Sequence, residues 1–423
     1  MFSMTRAFRS ATRFYLFVLC FGAISLFASD DLRPGDVVAI CGDSITEQGL
    51  YSAFIEAYLL ACQPLSGVRT HQFGLSGETS WEFLNRIDSD VLPFRPTVAT
   101  TCYGMNDGGY GPFDPEREMG YRRATTEIVQ RLKRAGVRLI IVGSPGVVAS
   151  DAFDQNGPIW TNAEEYNRQT LRRLAQIARE VAAQEGVRYA DVHGVFWHAM
   201  ERAKAKFGPR YHVAGADGVH PAANGHLIIA YAFLKALGCD GNIGIFTVDL
   251  AARRVTVSEG HRLLSFAGDS VKIQSTRYPF CFYGKPTDPE STRGILEVLP
   301  FNAELNRLEL WVTGASTPRL MVTWGNSFKI FRAEELAKGV NLAGEFLDNP
   351  FSVPFQSVEY AVSKQQQYEA PRVHIIEKSW AKGWSKQKTM RGAPSQEKVL
   401  ELEAAAREAV RPVTHTLTIT PVP

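Results

Sequence analysis

Between Asp36 and about Leu237, short runs of consecutive apolar residues alternate with longer stretches in which apolar residues recur every three or four positions. The short β-rich apolar runs are Val37 to Cys41, Val68 to Phe73, Thr97 to Tyr103, Val137 to Gly143 and Val187 to Val192, which predicts strands buried on both faces. Tyr51 to Cys62, Glu116 to Ala135, Ala163 to Glu185 and about Asn224 to Leu237 read as helices, with Gly136, Gly186 and Gly238 as stop signals. Strands separated by helices of this length argue for an α/β fold, a parallel sheet covered on both sides. After Ile243 the pattern changes. Candidate strands at Ile245 to Asp249, Arg254 to Ser258, Ser270 to Ser275, Gly294 to Leu299, Arg307 to Thr313 and Arg319 to Trp324 follow one another without comparable helices, which predicts a smaller β-rich accessory domain. Ala333 to Lys338 and Val358 to Tyr368 look helical, with Pro350 and Pro354 breaking the chain between them. The expected organisation is therefore 1–28, an N-terminal targeting segment; 30–244, the α/β domain; 245–345, the β-rich domain; and 346–423, a helical and extended C-terminal segment.

The 423 residues are 45% hydrophobic, which excludes a disordered chain, and 46 basic against 44 acidic residues leave no electrostatic footprint for nucleic acid. Arg6, Arg9 and Arg13 precede an apolar run from Phe14 to Ala28 in a stretch without acids. That run is short for a membrane span and reads as an export signal or a retained N-terminal anchor, so the expected location is secreted or periplasmic. With those arginines set aside, the remainder is nearly neutral and charge offers no clue to partners. Cys20 lies in the apolar run. Cys41, Cys62, Cys102, Cys239 and Cys281 are an odd set spread over a long chain, not a disulfide framework, and their pairing is left open. The stretch Lys378 to Lys398, with Trp380 and Trp384, reads first as a solvated basic linker.

Four polar segments stand at predicted strand ends or before the last α/β helix, and in such a sheet those ends converge on one edge. Gly42-Asp43-Ser44-Ile45-Thr46 places a hydroxyl at a strand-to-helix turn. Ser76-Gly77-Glu78-Thr79 offers an unobstructed glycine amide. Gly104-Met105-Asn106-Asp107 offers a side-chain amide. Asp217-Gly218-Val219-His220-Pro221 sets an aspartate three residues before a histidine, a spacing that lets the carboxylate accept from Nδ1–H and leaves Nε2 free to take a proton. Each segment alone is also an ordinary turn. Together they supply a nucleophile, a base, its orienting acid and oxyanion donors. Asp43 and Asp107 read as loop braces and His226 as a packing or surface residue, while His193 is a weaker base candidate that lacks an aspartate at the right offset. There is no His-Glu-x-x-His, no compact metal-ligand spacing and no phosphate- or dinucleotide-binding loop, so no metal or cofactor is expected.

In this order, the four segments resemble the blocks of the SGNH/GDSL hydrolase superfamily, over roughly Asp36 to Leu237. The resemblance implies a flavodoxin-like three-layer α/β/α domain and hydrolysis of acyl esters. It implies Ser44 as nucleophile, His220 and Asp217 as the rest of a triad, and Ser44, Gly77 and Asn106 as oxyanion donors. Export and the loop aromatics Trp81, Tyr103, Tyr110 and Trp160 suit a sugar-bearing ester, so the expected activity is removal of acyl groups, acetyl above all, from carbohydrate. A lipid or aryl esterase or thioesterase of the same mechanism, and a catalytically idle glycan-binding module, are the alternatives. The expected partner is a small-molecule or glycan ester, with no nucleic acid and no membrane span beyond the N-terminal segment; the oligomeric state stays open.

Overall fold

In the computed structural model, residues 31–149, 152–153, 163–370 and 395–422 are described. The N-terminal stretch expected to be an export signal, Trp160, and Lys378 through Arg391 of the basic stretch lie outside them. In chain order the strands are β1 Val37–Gly42, β2 Arg69–Gly74, β3 Val98–Cys102, β4 Leu139–Gly143, β5 Arg188–Ala190, β6 Asn242–Asp249, β7 Arg254–Val257, β8 His261–Ala267, β9 Ser270–Ser275, β10 Arg307–Thr313, β11 Arg319–Trp324, β12 Ser327–Arg332, β13 Val340–Asn341 and β14 Val413–Val422. The helices used below are α1 Ser44–Glu47, α2 Leu50–Ala57, α3 Pro115–Arg134, α4 Arg172–Glu185, α5 Val192–Phe207, α6 Ala223–Leu237, α7 Ser352–Glu369 and α8 Gln396–Ala409.

Strands β1 to β5 form one sheet, all parallel, in the order β2-β1-β3-β4-β5. Successive side chains of a strand point to opposite faces, and here both faces are dry. Val38 and Ile40 enter one apolar cluster while Ala39 and Cys41 enter the other. Helices α3 and α4 cover the second face with Tyr121, Ala124, Ile128, Leu174, Ile177 and Val181. The first face is covered by α2, α5 and α6, and its cluster continues without a break through Phe246, Phe280, Phe301 and Trp324. This explains why α6 is buried on nearly every side: it has the sheet on one side and the β-rich region on the other. Register puts Gly42 beside Gly74 and Cys102, and Cys102 beside Gly143, so the strands end along a common edge. The order reverses between β1 and β3, and ligands of open parallel sheets bind outside the strand ends at that reversal.

Beyond Asn242 the sheets change type. One holds β13-β10-β6-β7, with β6 and β10 parallel and the outer pairs antiparallel; the other is antiparallel in the order β12-β11-β14-β9-β8. From Asp31 onward the chain is one compact unit. Three expectations need correction. Gly294 to Leu299 is not a strand but contains a 3-10 turn, Arg293–Glu297, with Ile295 and Leu299 buried; a short apolar run does not distinguish a strand from a buried turn. Pro354 does not break a helix, because it lies in the first turn of α7, where its missing N–H would have no partner in any case. The fifth run stops at Ala190, and Asp191 caps α5 by accepting from the Gly194 amide at 3.1 Å.

A buried polar seam fastens α7 to the α/β layers. Ser52 Oγ donates to Gln366 Oε1 at 2.6 Å, Gln366 Nε2 donates to Glu56 Oε2 at 2.7 Å, and His71 Nδ1 lies 3.1 Å from Glu369 Oε2. Burial, less offset by the Gln366 hydrogen bond and reinforced by Glu369 and Glu403, pushes the Glu56 carboxyl up to about 8. The folded protein therefore holds a proton that the unfolded chain releases at the ordinary value near 4.5, and stability falls as pH rises from there toward 8. Glu56→Gln keeps an acceptor for Gln366 and removes the titration. Its melting temperature should match wild type near pH 4 and fall less by pH 8; parallel melting curves in a pH series would refute this.

Candidate active site

Ser44 is the first residue of α1, directly after β1. The Asp43 carboxylate accepts from the Ile45 amide at 3.0 Å, which fixes the start of that turn. Gly42 has no room for a side chain, since an added Cβ would run into the Thr46 side chain and the Cys102 carbonyl. The hydroxyl is thereby held at the sheet edge. His220 Nε2 lies 2.8 Å from Ser44 Oγ, and His220 Nδ1 lies 2.6 Å from Asp217 Oδ2. The other oxygen, Asp217 Oδ1, accepts from the amides of Val219 and His220 at 2.9 and 2.8 Å. One carboxylate thus shapes the turn and orients the ring. Burial acts to raise the Asp217 carboxyl, but hydrogen bonds from the His220 amide, the His220 ring and the Val219 amide outweigh it and hold it below its ordinary value. With a carboxylate on Nδ1–H, Nε2 carries the lone pair that faces the serine.

The second and third segments meet beside this group. Gly77 is exposed, adopts φ +77°, and its amide and that of Ser44 have no hydrogen-bond partner among the described residues. Asn106 Nδ2 donates to the Glu78 carbonyl at 3.0 Å, leaving its second N–H available, and Asn106 Oδ1 accepts from the Tyr110 hydroxyl at 2.9 Å. Asp107 accepts from the amides of Ser80 and Gly104, both at 3.0 Å, and so ties the third loop to the second. Burial raises Asp43 to about 7 and Asp107 to about 6. Both aspartates accept backbone amides, the bracing geometry expected of them.

Sequence reasoning missed what lies beneath the Gly77 loop. Glu78 and Arg86, each at least 95% buried, pair through Nε–Oε1 at 2.5 Å and Nη2–Oε2 at 2.6 Å. Arg86 Nη2 also donates to the Phe73 carbonyl at 2.7 Å, and the Tyr103 hydroxyl donates to Glu78 Oε2 at 2.7 Å. Tyr103 is therefore a buried strut, not a sugar platform; of the loop aromatics among the described residues, Trp81 is the one that is largely exposed, at 60%. His226 is buried between the Tyr51 amide and Gln48 Oε1, and burial lowers it to about 3. His193 is buried against the Gly146 carbonyl and lowered by burial. Neither is placed to act as a base. The described cysteines are free, and burial pushes the Cys41 thiol up to about 12. His71, Glu369 and Glu403 have the composition of a metal site, with one ligand atom of each within 4.8 Å of the others. The imidazole turns Nδ1 to Glu369 at 3.1 Å and Nε2 to Glu403 at 4.0 Å, so it also pairs the two carboxylates as a clasp between α7 and α8.

Residues 40–228 match the GDSL-like Lipase/Acylhydrolase family. An acetylxylan esterase from Geobacillus stearothermophilus is 25% identical over 229 residues, 49% of this chain and 96% of the relative. A solved acetyl-xylooligosaccharide esterase from the same genus covers 49% of this chain and 96% of its own, at 24% identity and a TM-score of 0.41. The structure of a gut microbial diltiazem-metabolizing enzyme matches over 92% of this chain and 98% of its own, with a TM-score of 0.72 at 21% identity, so the two share their fold through the β-rich region. An α/β sheet whose strand ends carry a serine, a histidine and an aspartate in one hydrogen-bonded line agrees with the family match, and residues 40–228 are a GDSL-like lipase/acylhydrolase domain, that of an ester-bond hydrolase.

Proposed function

We propose that Ser44, His220 and Asp217 are the catalytic triad of a serine esterase that removes acetyl groups from carbohydrate. The single observation that carries the reading is the imidazole bridge, 2.8 Å to the serine oxygen and 2.6 Å to the carboxylate. His220 Nε2 takes the Ser44 proton as Oγ attacks the ester carbonyl. The oxyanion rests on the amides of Ser44 and Gly77 and on the free Asn106 N–H; as it collapses the bond to the sugar oxygen breaks, and His220 protonates that oxygen to release the sugar as its hydroxyl. Water, deprotonated by His220, releases acetate and restores the serine. No step calls for a metal.

Two facts support a glycan substrate. The relative that is 25% identical acts on acetylxylan by its name. The site is open, with the His220 and Asp217 side chains 37% and 48% exposed, and Trp81 stands exposed five residues beyond Ser76. A shallow, open site admits a ring-bearing chain that a closed acyl tunnel would exclude.

The purified chain should release acetate from acetylated xylo-oligosaccharides and from 4-nitrophenyl acetate, and Ser44→Ala should lower both rates on the order of 10⁴-fold or more. Unchanged release by the variant would refute the mechanism. Binding of acetylated glycan without release by the wild type would show an idle binding module, and a preference for long acyl chains or thioesters would refute the substrate class.

A further inference from the structure

We propose that Tyr110 is a positioning residue for the oxyanion hole, acting through Asn106; this rests on the reading of the site given above. A primary amide can rotate, and as a donor to a developing negative charge it is useful only if its N–H is already aimed. The Tyr110 hydroxyl donates to Asn106 Oδ1 at 2.9 Å while the Glu78 carbonyl takes one N–H of Nδ2 at 3.0 Å. These two contacts fix which end of the amide is which and leave one N–H for substrate. A hydrogen bond onto the amide oxygen also polarises the group and strengthens its N–H as a donor.

The backbone shows that this placement is enforced. Tyr110 has φ +54°, a left-handed conformation that is unusual for an aromatic residue. Its surroundings hold it there. The Tyr110 amide donates to the Tyr166 hydroxyl at 3.3 Å, and that hydroxyl donates to the Met105 carbonyl at 2.6 Å, one residue before Asn106. The Tyr110 ring stacks on Tyr166 at 5.6 Å, and Tyr166 stacks on Phe153 at 5.9 Å with their planes 5° apart. Phe153 is tied to the histidine loop: the Phe153 amide donates to the Ala149 carbonyl and the Ala149 amide donates to the Gly218 carbonyl, both at 2.9 Å. The three rings therefore join the loop that bears the oxyanion donor to the loop that bears Asp217 and His220.

The test is steady-state kinetics of the full chain on 4-nitrophenyl acetate. Tyr110→Phe keeps the ring stack and removes only the hydroxyl. It should lower kcat about tenfold with KM within twofold of wild type and the melting temperature nearly unchanged. In an Asn106→Ala background the same substitution should do nothing more, because the group it positions is gone. Wild-type kcat in Tyr110→Phe, or an equal loss in both backgrounds, would overturn the proposal. Ser44→Ala in the same assay separates the two layers. If it keeps wild-type turnover, the site reading fails and this role with it; if it is inactive while Tyr110→Phe is unimpaired, the positioning role alone fails.

Discussion

His220→Ala is expected to lower kcat on an activated acetyl ester by about 10⁴- to 10⁶-fold, and Asp217→Asn by about 10⁴-fold, both without loss of fold. The expectation follows from where the groups sit. The His220 side chain is half-buried and belongs to neither apolar cluster, so its truncation removes the proposed proton acceptor 2.8 Å from Ser44 Oγ and little else. Asp217 does two things with its two oxygens. Oδ1 accepts two backbone amides and shapes the turn, and Oδ2 faces the imidazole. Asparagine preserves the first role with its carbonyl oxygen and reverses the second, turning an NH₂ toward Nδ1. The ring then carries its proton on Nε2, where the serine needs a lone pair. Alanine at 217 should do more damage than asparagine, because it also releases the Val219 and His220 amides. The double variant His220→Ala, Asp217→Asn should be no slower than His220→Ala alone, since the two residues act as one unit. Turnover numbers for the four variants beside wild type check this, and an Asp217→Asn enzyme within tenfold of wild type would remove the orienting role.

What could be read from the chain divides along a physical line. Strands β1 and β4 of the α/β sheet were the most legible because burial on both faces makes them unbroken apolar runs, Val37 to Cys41 and Leu139 to Gly143, whereas β2, buried as well, carries Thr70, His71 and Gln72. The four site segments were legible because turns concentrate glycine, aspartate and asparagine at strand ends. By contrast, α5 was lost because Asp191 after an apolar run looks the same whether it ends a strand or caps a helix. β14 was missed although the alternation of buried His415, Leu417 and Ile419 with exposed or half-buried threonines carried the period-two signal. Tyr110 was read as a sugar-facing ring; nothing in a loop sequence distinguishes a tyrosine that stacks on substrate from one whose hydroxyl holds an asparagine. The seam of His71, Glu56, Gln366 and Glu369 unites segments about 300 residues apart, and no local pattern announces that pairing.

Glu78→Ala should be the most destabilising of these substitutions, at about 3–5 kcal/mol, because it leaves a buried guanidinium without its principal partner. Arg86 would keep the Phe73 carbonyl at 2.7 Å and an ion-pair distance of 3.5 Å to Asp90, but its two short contacts to carboxylate would be gone, and the Tyr103 hydroxyl would lose its acceptor. The same change should reach the chemistry. Glu78 follows Gly77 directly, and its carbonyl receives Asn106 Nδ2, so its side chain pins the backbone that presents two of the three proposed oxyanion donors. Residual activity of folded Glu78→Ala should therefore fall through kcat. Removing the opposite charge as well, in Glu78→Gln with Arg86→Met, should recover part of the lost stability, since the penalty comes from an unpaired buried charge more than from the missing bond. It should not recover kcat to the same degree, because neither glutamine nor methionine rebuilds the bidentate contact that holds the loop. Urea unfolding gives the first quantity and kinetics on 4-nitrophenyl acetate the second. If the double variant were as unstable as Glu78→Ala, the ion pair would be a by-product of packing and not the fastening of the loop.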